Sequence, residues 1–327
     1  SHATYSVSSA SNWQMKLLPL SEVDTEVNKE ERGVILFSSG STGEAKAMCQ
    51  DLSPRLHDLG KQKSKPTCMG LLLLFDHIGG LNTLLSGLQK SSHLVAPLER
   101  SPSIMANLIE RYSVRVLPCS PTFLNMMYLD SIFDDFNLKS LRLVTYGTER
   151  MPEELLKRLS IKLPRVKFLQ TFGTSETGIV QTKSLSSSST FLTIEDPNVE
   201  WKIEDQELWI KSASQISSYI NTDEQAIDDG WFKTGDLVEM KDGKYFKIIG
   251  RKKEVINVGG EKVLPSEIED FIMSIDGVID CTAFSVPNGI TGQAVGIKVV
   301  MMKGVDKKSL KKDIRQISKL KLESFKV

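Results

Sequence analysis

The stretch Phe37-Ser38-Ser39-Gly40-Ser41-Thr42-Gly43-Glu44-Ala45-Lys46 comes directly after the apolar run Gly33-Val34-Ile35-Leu36. A short apolar run of this kind reads as a buried strand. A strand that empties into small, hydroxylated and glycine residues and closes on a lysine is suited to holding phosphate. Glycines let the backbone approach an anion closely, successive amides can point inward, and the hydroxyls and the ammonium complete the cradle. The spacing is not that of a Walker A loop, in which Gly-x4-Gly-Lys runs into Ser/Thr and directly into a helix. Here the hydroxyl residues precede Lys46. Alone, such a stretch is most simply a loop, so its meaning depends on the motifs further along the chain.

Four of these stand in order: Phe172-Gly173-Thr174-Ser175-Glu176-Thr177, then Thr234-Gly235-Asp236, then Gly250-Arg251-Lys252-Lys253, then Val258-Gly259-Gly260-Glu261-Lys262. Between them, strand-like and helix-like segments alternate, the pattern of an α/β protein with a largely parallel sheet. Strands are predicted over 34–37, 69–75, 92–95, 115–117, 142–146 and 166–171, with helices over 103–112 and 152–159. In the second helix Pro152 suits a first-turn position, and Glu153 and Glu154 complement the positive end of the helix dipole. A serine-rich bridge over 184–190 leads into short β pieces around 201–203, 207–210 and 245–249, read as a β subdomain. Beyond Arg251 a compact α+β unit is predicted, with a helix over 265–274, strands over 278–286 and 294–302, and a lysine-rich helix over 306–320. Lys307, Lys308, Lys311 and Lys312 read as a solvated helix face. The expected architecture is a large domain over 1–252 and a small, mobile C-terminal domain over 253–327.

Bulk properties narrow the function classes. The chain has 327 residues, enough for more than one core. Lys+Arg and Asp+Glu both number 41, which argues against a nucleic-acid footprint. No apolar stretch reaches the ~18 residues of a membrane span. The four cysteines are scattered without metal-ligand spacing and read as thiols of a reducing compartment, so a cytoplasmic protein is expected.

In their order and spacing these motifs resemble the acyl-adenylating superfamily: acyl- and aryl-CoA synthetases, peptide-synthetase adenylation domains and luciferases. The resemblance covers roughly residues 33–327. It implies ATP-dependent attack of a carboxylic acid on the α-phosphate, giving an acyl-adenylate and pyrophosphate, and then transfer to a thiol. It implies ATP, Mg²⁺ and coenzyme A as cofactors, or the phosphopantetheine of an acyl carrier protein as acceptor. A nucleotide-binding member deficient in catalysis is a third possibility. Ser38, Ser39, Gly40, Ser41, Thr42, Gly43 and Lys46 would grip the β- and γ-phosphates, with Thr42 near the metal. Ala45 stands where the family usually has proline, which should loosen the turn without removing a phosphate contact.

By the same resemblance Phe172 stacks on adenine, Thr174 meets the α-phosphate and Glu176 helps hold Mg²⁺. Thr171 and Gly173 belong to the same nucleotide segment, and Gly147, Thr148 and Glu149 would cover the other adenine face. Asp236 is suited to accept the two ribose hydroxyls, with Arg251 reaching the ribose or a phosphate. Lys253 falls at the hinge about which the small domain rotates, bringing Gly259 and Gly260 toward the pantetheine thiol. His77 is the expected wall or gate of the acid pocket, with Gly147 and Ile179 beside it.

Two departures from the family pattern stand out. Only residues 1–32 precede Gly33, where family members carry a further subdomain. The final residues 322–327 resemble the point just before the family's last motif, whose lysine neutralises the carboxylate and α-phosphate. The expectation is a trimmed chain or an omitted tail; acting alone, such a chain would adenylate slowly.

Overall fold

The computed structural model describes residues 4–7, 15–18, 33–39, 45–52, 65–223, 225 and 227–326. Strands β1 (Thr4–Val7) and β2 (Met15–Leu18) pair antiparallel, as do β3 (Gly33–Ser39) and β4 (Ala45–Asp51). The second pairing corrects the expectation that the first strand belongs to the parallel sheet. A parallel neighbour needs a crossover of a dozen or more residues, and the few residues between β3 and β4 permit only a hairpin. Lys46 is therefore a strand residue, opposite Ser38, and not part of a loop. Gly40, Ser41, Thr42 and Gly43 lie outside the described residues.

The parallel sheet is built from β5 (Cys68–Gly70), α1 (Ile78–Gln89), β6 (His93–Val95), α2 (Pro102–Tyr112), β7 (Val116–Cys119), α3 (Pro121–Leu129), α4 (Ile132–Asp135), β8 (Leu143–Tyr146), α5 (Glu153–Lys162) and β9 (Lys167–Gln170). Its strand order is β6-β5-β7-β8-β9, all parallel. Two helices start on the same Ser-Pro signature. Ser101 accepts from the Ile104 amide at 3.3 Å, and Ser120 accepts from the Phe123 amide at 3.1 Å. In each case the following proline supplies a preset φ where no amide proton is needed. Pro152 stands at the N-cap of α5, one position earlier than expected. Met105, Ile109, Leu124, Leu156 and Leu159 from the helices pack with Leu117, Val144 and Phe168 from the strands, all nearly inaccessible. Each such burial contributes roughly 1.5–3 kcal/mol.

The run 69–75 is not one strand. β5 ends at Gly70, and the residues after it turn into α1. Leu73 and Leu74 face a cavity there, and an apolar cavity wall reads in sequence like a strand.

After β9 the chain makes the hairpin β10 (Phe172–Thr174) and β11 (Gly178–Val180), and then a seven-stranded antiparallel sheet. That sheet comprises β12 (Thr182–Ser184), β13 (Leu192–Ile194), β14 (Val199–Glu204), β15 (Glu207–Ser212), β16 (Ile227–Asp228), β17 (Trp231–Lys241) and β18 (Tyr245–Arg251). The serine-rich bridge has a structural task. Ser187 Oγ accepts from the Phe168 amide at 2.8 Å and Ser184 Oγ from the Gln170 amide at 3.0 Å. These hydroxyls occupy the free edge of β9.

The C-terminal unit holds β19 (Ile256–Val258), β20 (Glu261–Val263), α6 (Pro265–Met273), β21 (Val278–Asn288), β22 (Gly292–Met301) and α7 (Lys307–Lys321). Its sheet order is β20-β19-β22-β21. Helix α7 buries Leu310, Ile314 and Ser318, and its lysines at 307, 308, 311 and 312 are exposed, as expected. Among the described residues no helix is long and apolar enough to cross a membrane.

This unit docks on the rest of the chain through Arg158 of α5, Arg150 and Asn125, over a shared apolar cluster. Arg158 donates to the carbonyls of Met273 at 3.0 Å, Val278 at 3.1 Å and Ile279 at 2.9 Å. Arg150 pairs with Asp270, and Asn125 donates to Asp280 at 2.9 Å. Replacing Arg158 with alanine should leave three carbonyls short of a donor and cost about 3 kcal/mol. Lysine should recover little of that loss, because an ammonium cannot fork between the carbonyls. Urea denaturation would measure the loss, and limited proteolysis should show earlier release of residues 256–326.

Candidate active site

In the order β6-β5-β7 the chain leaves β5 in one direction and returns on its other side. Open α/β sheets bind ligands at such a switch point, beyond the strands' carboxyl ends. Here a cavity of about 910 Å³ opens there. Leu73, Leu74, Ser120, Gly147 and Thr171 line it from the turns just beyond the strands' carboxyl ends, and Lys46, Glu176 and Arg251 from other elements. A second cavity of about 980 Å³ lies against the C-terminal unit and includes Asp236, Thr282 and Ser285. The two share residues 147–149 and 171–174 together with Arg251 and Lys253, so they form one continuous cleft.

Two glycines are dictated by close approach. A Cβ on Gly147 would lie 2.6 Å from Thr171 Oγ1, and one on Gly173 would lie 2.5 Å from the Gly178 carbonyl oxygen. The cleft floor is therefore bare backbone at both places. Thr148 adopts φ 70°, which turns the segment away from β8. Thr122 donates to the Glu149 carboxylate and fixes the far end of that turn. Phe172 is buried in the core between β10 and the antiparallel sheet while still lining both cavities.

The Thr174 hydroxyl accepts from the amides of Glu176 at 3.2 Å and Thr177 at 3.1 Å. It thus shapes its own turn, aiming the half-buried Glu176 into the cleft. The Glu176 carboxylate accepts from the Tyr219 hydroxyl at 3.2 Å, and the Lys46 ammonium sits 5.0 Å from the centre of the same ring. Phosphate-gripping and cation-holding candidates therefore share one aromatic neighbour. Tyr219 escaped the sequence reading, because nothing in its vicinity distinguishes it from a core tyrosine.

On the opposite wall, antiparallel register makes Asp236 and Arg251 direct partners. Arg251 Nε lies 3.0 Å from the Asp236 carboxylate, which is 5% exposed while the arginine is 45% exposed. Burial pushes the Asp236 carboxyl up to about 6, against the pull of Arg251. Beneath it Glu207, 5% exposed, accepts from the Gly235 amide at 3.1 Å and from Lys252 at 2.9 Å. This buried carboxylate also escaped the sequence reading, since an acidic residue opening a strand is usually solvated.

His77 occupies the N-cap position of α1 and lines the first cavity with an exposed side chain; Ile179 lines it from β11. Lys253 is exposed at the mouth of both cavities. Gly259 and Gly260 are not brought into the cleft: they form the turn between β19 and β20, bonded to Thr291 and Asn257. Thr42 lies outside the described residues. Among the described residues no group of three His, Cys, Asp or Glu side chains converges on a point. One carboxylate supplemented by phosphate oxygens and water is the donor set that suits Mg²⁺, so Glu176 fits that ion. Cys119 lines the first cavity and Cys281 the second; burial raises both thiols, Cys281 to about 12, which makes them poor nucleophiles.

Residues 3–217 match the family described as AMP-binding enzyme. Acyl-CoA synthetase 7 of Caenorhabditis elegans is 27% identical over 323 residues, covering 89% of this chain and 59% of that relative. The 4-coumarate-CoA ligase 1 of Narcissus pseudonarcissus is 27% identical over 300 residues, covering 84% of this chain and 53% of its own. The chain therefore spans little more than half the length of these curated relatives. Among solved structures, the amide bond synthetase of Marinactinospora thermotolerans matches with a TM-score of 0.75 at 20% identity, over 90% of this chain and 63% of that one. An anthranilate CoA ligase in complex with anthranoyl-AMP matches at 0.73 and 20% identity, over 89% and 61%. At that identity the two structures establish the fold alone, a large α/β architecture. With two thirds of its length inside the family match, the chain belongs to the AMP-binding enzyme family.

Proposed function

We propose that the chain carries the site of an acid-thiol ligase. A carboxylic acid attacks the α-phosphate of ATP, pyrophosphate leaves, and the acyl group passes from AMP to the thiol of coenzyme A. The observation that carries this reading is the arrangement of the cleft. One wall with Lys46 and Glu176 and an opposite wall with Arg251 and Asp236, each pairing a cation with a carboxylate, face bare backbone at residues 147 and 173. Joining two anions requires cations and amide dipoles where charge accumulates.

In this reading Lys46 neutralises charge on the departing phosphates. Glu176 and the phosphates would hold Mg²⁺, which when bound screens the charge between them. Asp236 accepts the ribose hydroxyls, and Phe172 with residues 147–149 flanks the adenine. His77 and Ile179 border the acid. Lys253 is proposed as the pivot that carries Gly259 and Gly260 to the cleft for thioester formation. The domain division near residue 252 is part of this proposal.

The test is a panel of carboxylic acids with MgATP, trapped with hydroxylamine, followed by a choice of acceptor: free CoA, a phosphopantetheinylated carrier protein, or an amine. Acid-dependent hydroxamate followed by CoA consumption is expected. Hydroxamate with an unused thiol would move the acceptor to carrier or amine, and silence with every acid would overturn the ligase reading.

A further inference from the structure

We infer that Asn221 and Tyr219 are positioning residues. Together they set the Lys46 ammonium and the Glu176 carboxylate at one fixed relation to each other. This inference rests on the proposed binding of nucleotide in the cleft.

Asn221 lies on the strap between β15 and β16, far along the chain from Lys46. Its Oδ1 accepts from the Ala47 amide at 2.8 Å, and its Nδ2 donates to the Ala45 carbonyl at 2.8 Å. These are the two peptide groups that flank Lys46. One planar amide therefore brackets the lysine along the outer edge of β4, as a single residue of a neighbouring strand would. The bracket has only one orientation: turning the amide over would set donor against donor and acceptor against acceptor. The Ile220 amide extends the pairing by donating to the Ala47 carbonyl at 2.8 Å, and Met48 bridges to Tyr219.

The other end of the strap holds the Glu176 turn. The Ile216 amide donates to the Glu176 carbonyl at 2.8 Å, and Ser214 Oγ donates to the Thr177 carbonyl at 3.1 Å. Gln50, on β4, donates to the Ser175 carbonyl at 2.6 Å and closes the loop from the other side. Leu36, Met48, Ile78, Ile216 and Tyr219 form a buried apolar cluster beneath these bonds. Tyr219 completes the link, its ring beside Lys46 and its hydroxyl on Glu176. An ammonium on a four-carbon stem otherwise samples many rotamers, and holding it in place lowers the entropy lost when phosphate binds.

Two variants test this. Asn221→Ala removes the bracket. Tyr219→Phe keeps the ring and the apolar cluster and removes the hydroxyl that donates to Glu176. For each, KM for MgATP, KM for the acid, kcat, half-saturating Mg²⁺, equilibrium MgATP binding and Tm are measured. Asn221→Ala should raise KM and Kd for MgATP about tenfold with KM for the acid unchanged. Tyr219→Phe should raise half-saturating Mg²⁺ about threefold with Tm unchanged, and it carries the test if the alanine variant does not fold. Wild-type nucleotide and Mg²⁺ parameters in both variants, whatever their Tm, would overturn the inference and leave the ligase reading intact. A wild-type chain that binds no MgATP would overturn both.

Discussion

Glu176→Gln is expected to slow acid-dependent pyrophosphate exchange by about a hundredfold to a thousandfold, the scale of losing one preorganised electrostatic contact. The replacement is isosteric, and the Tyr219 hydroxyl that donates to Glu176 at 3.2 Å can donate equally to an amide oxygen. The fold should therefore be unaffected. What disappears is the anionic oxygen that a hard cation prefers, so the Mg²⁺ requirement should rise while KM for the acid stays near its original value. A titration of Mg²⁺ at fixed ATP separates this outcome from general damage. An unchanged Mg²⁺ dependence would remove Glu176 from the proposed role.

Asp236→Asn is expected to weaken nucleotide binding tenfold to a hundredfold while leaving the protein at least as stable. The two expectations arise from one cause. The carboxyl of Asp236 is buried, and its value of about 6 lies above the ordinary 3.8 despite the neighbouring Arg251. Holding the ionised form there costs on the order of 2–3 kcal/mol at neutral pH. Because the folded state takes up this proton more readily than the unfolded chain, the group's contribution to stability is greatest below pH 4. It declines as pH rises to about 6 and is level above that. Asparagine removes the penalty, and Arg251 is exposed enough to find water in place of its partner. Two ribose hydroxyls exchange a charged acceptor for a neutral one, so each bond falls from about 1.5–3 kcal/mol net to about 0.5–1.5 kcal/mol. KM for ATP in the unsubstituted protein should also rise as pH falls through about 6, where the acceptor becomes protonated, and that rise should vanish in the variant. Isothermal titration with ATP and urea midpoints at pH 5 and pH 8 check both halves. Undiminished ATP affinity in Asp236→Asn would show that the carboxylate does not meet the nucleotide.

Much of the fold was legible from local pattern. The alternation of short apolar runs with helical segments led to the parallel sheet, and the Ser-Pro starts of α2 and α3 show why helices begin where they do. Local pattern failed where an apolar stretch had two possible uses. The run 69–75 mixes strand residues with a cavity wall, and both are apolar for the same reason, removal from water. Residues 33–39 had the composition of a sheet strand, but only the partner decides whether a strand is parallel, and here that partner is β4. Periodicity describes one strand at a time and carries nothing about its neighbour.

The site divides along the same line. The chemical groups were determined by the sequence alone: a lysine after a glycine-rich turn, a glutamate after Phe-Gly-Thr-Ser, an aspartate after Thr-Gly and an arginine after glycine. Their order along the chain also sufficed to suggest the family, because turn chemistry and charge are local properties. Which groups meet was decided by tertiary structure. Antiparallel register joins Asp236 to Arg251, and the strap bearing Tyr219 and Asn221 ties Lys46 to Glu176. The same structure keeps Gly259 and Gly260 out of the cleft and buries Glu207 beneath it. Those outcomes depend on hydrogen bonds and packing between residues remote in sequence, and such contacts leave no signature in the composition of either segment.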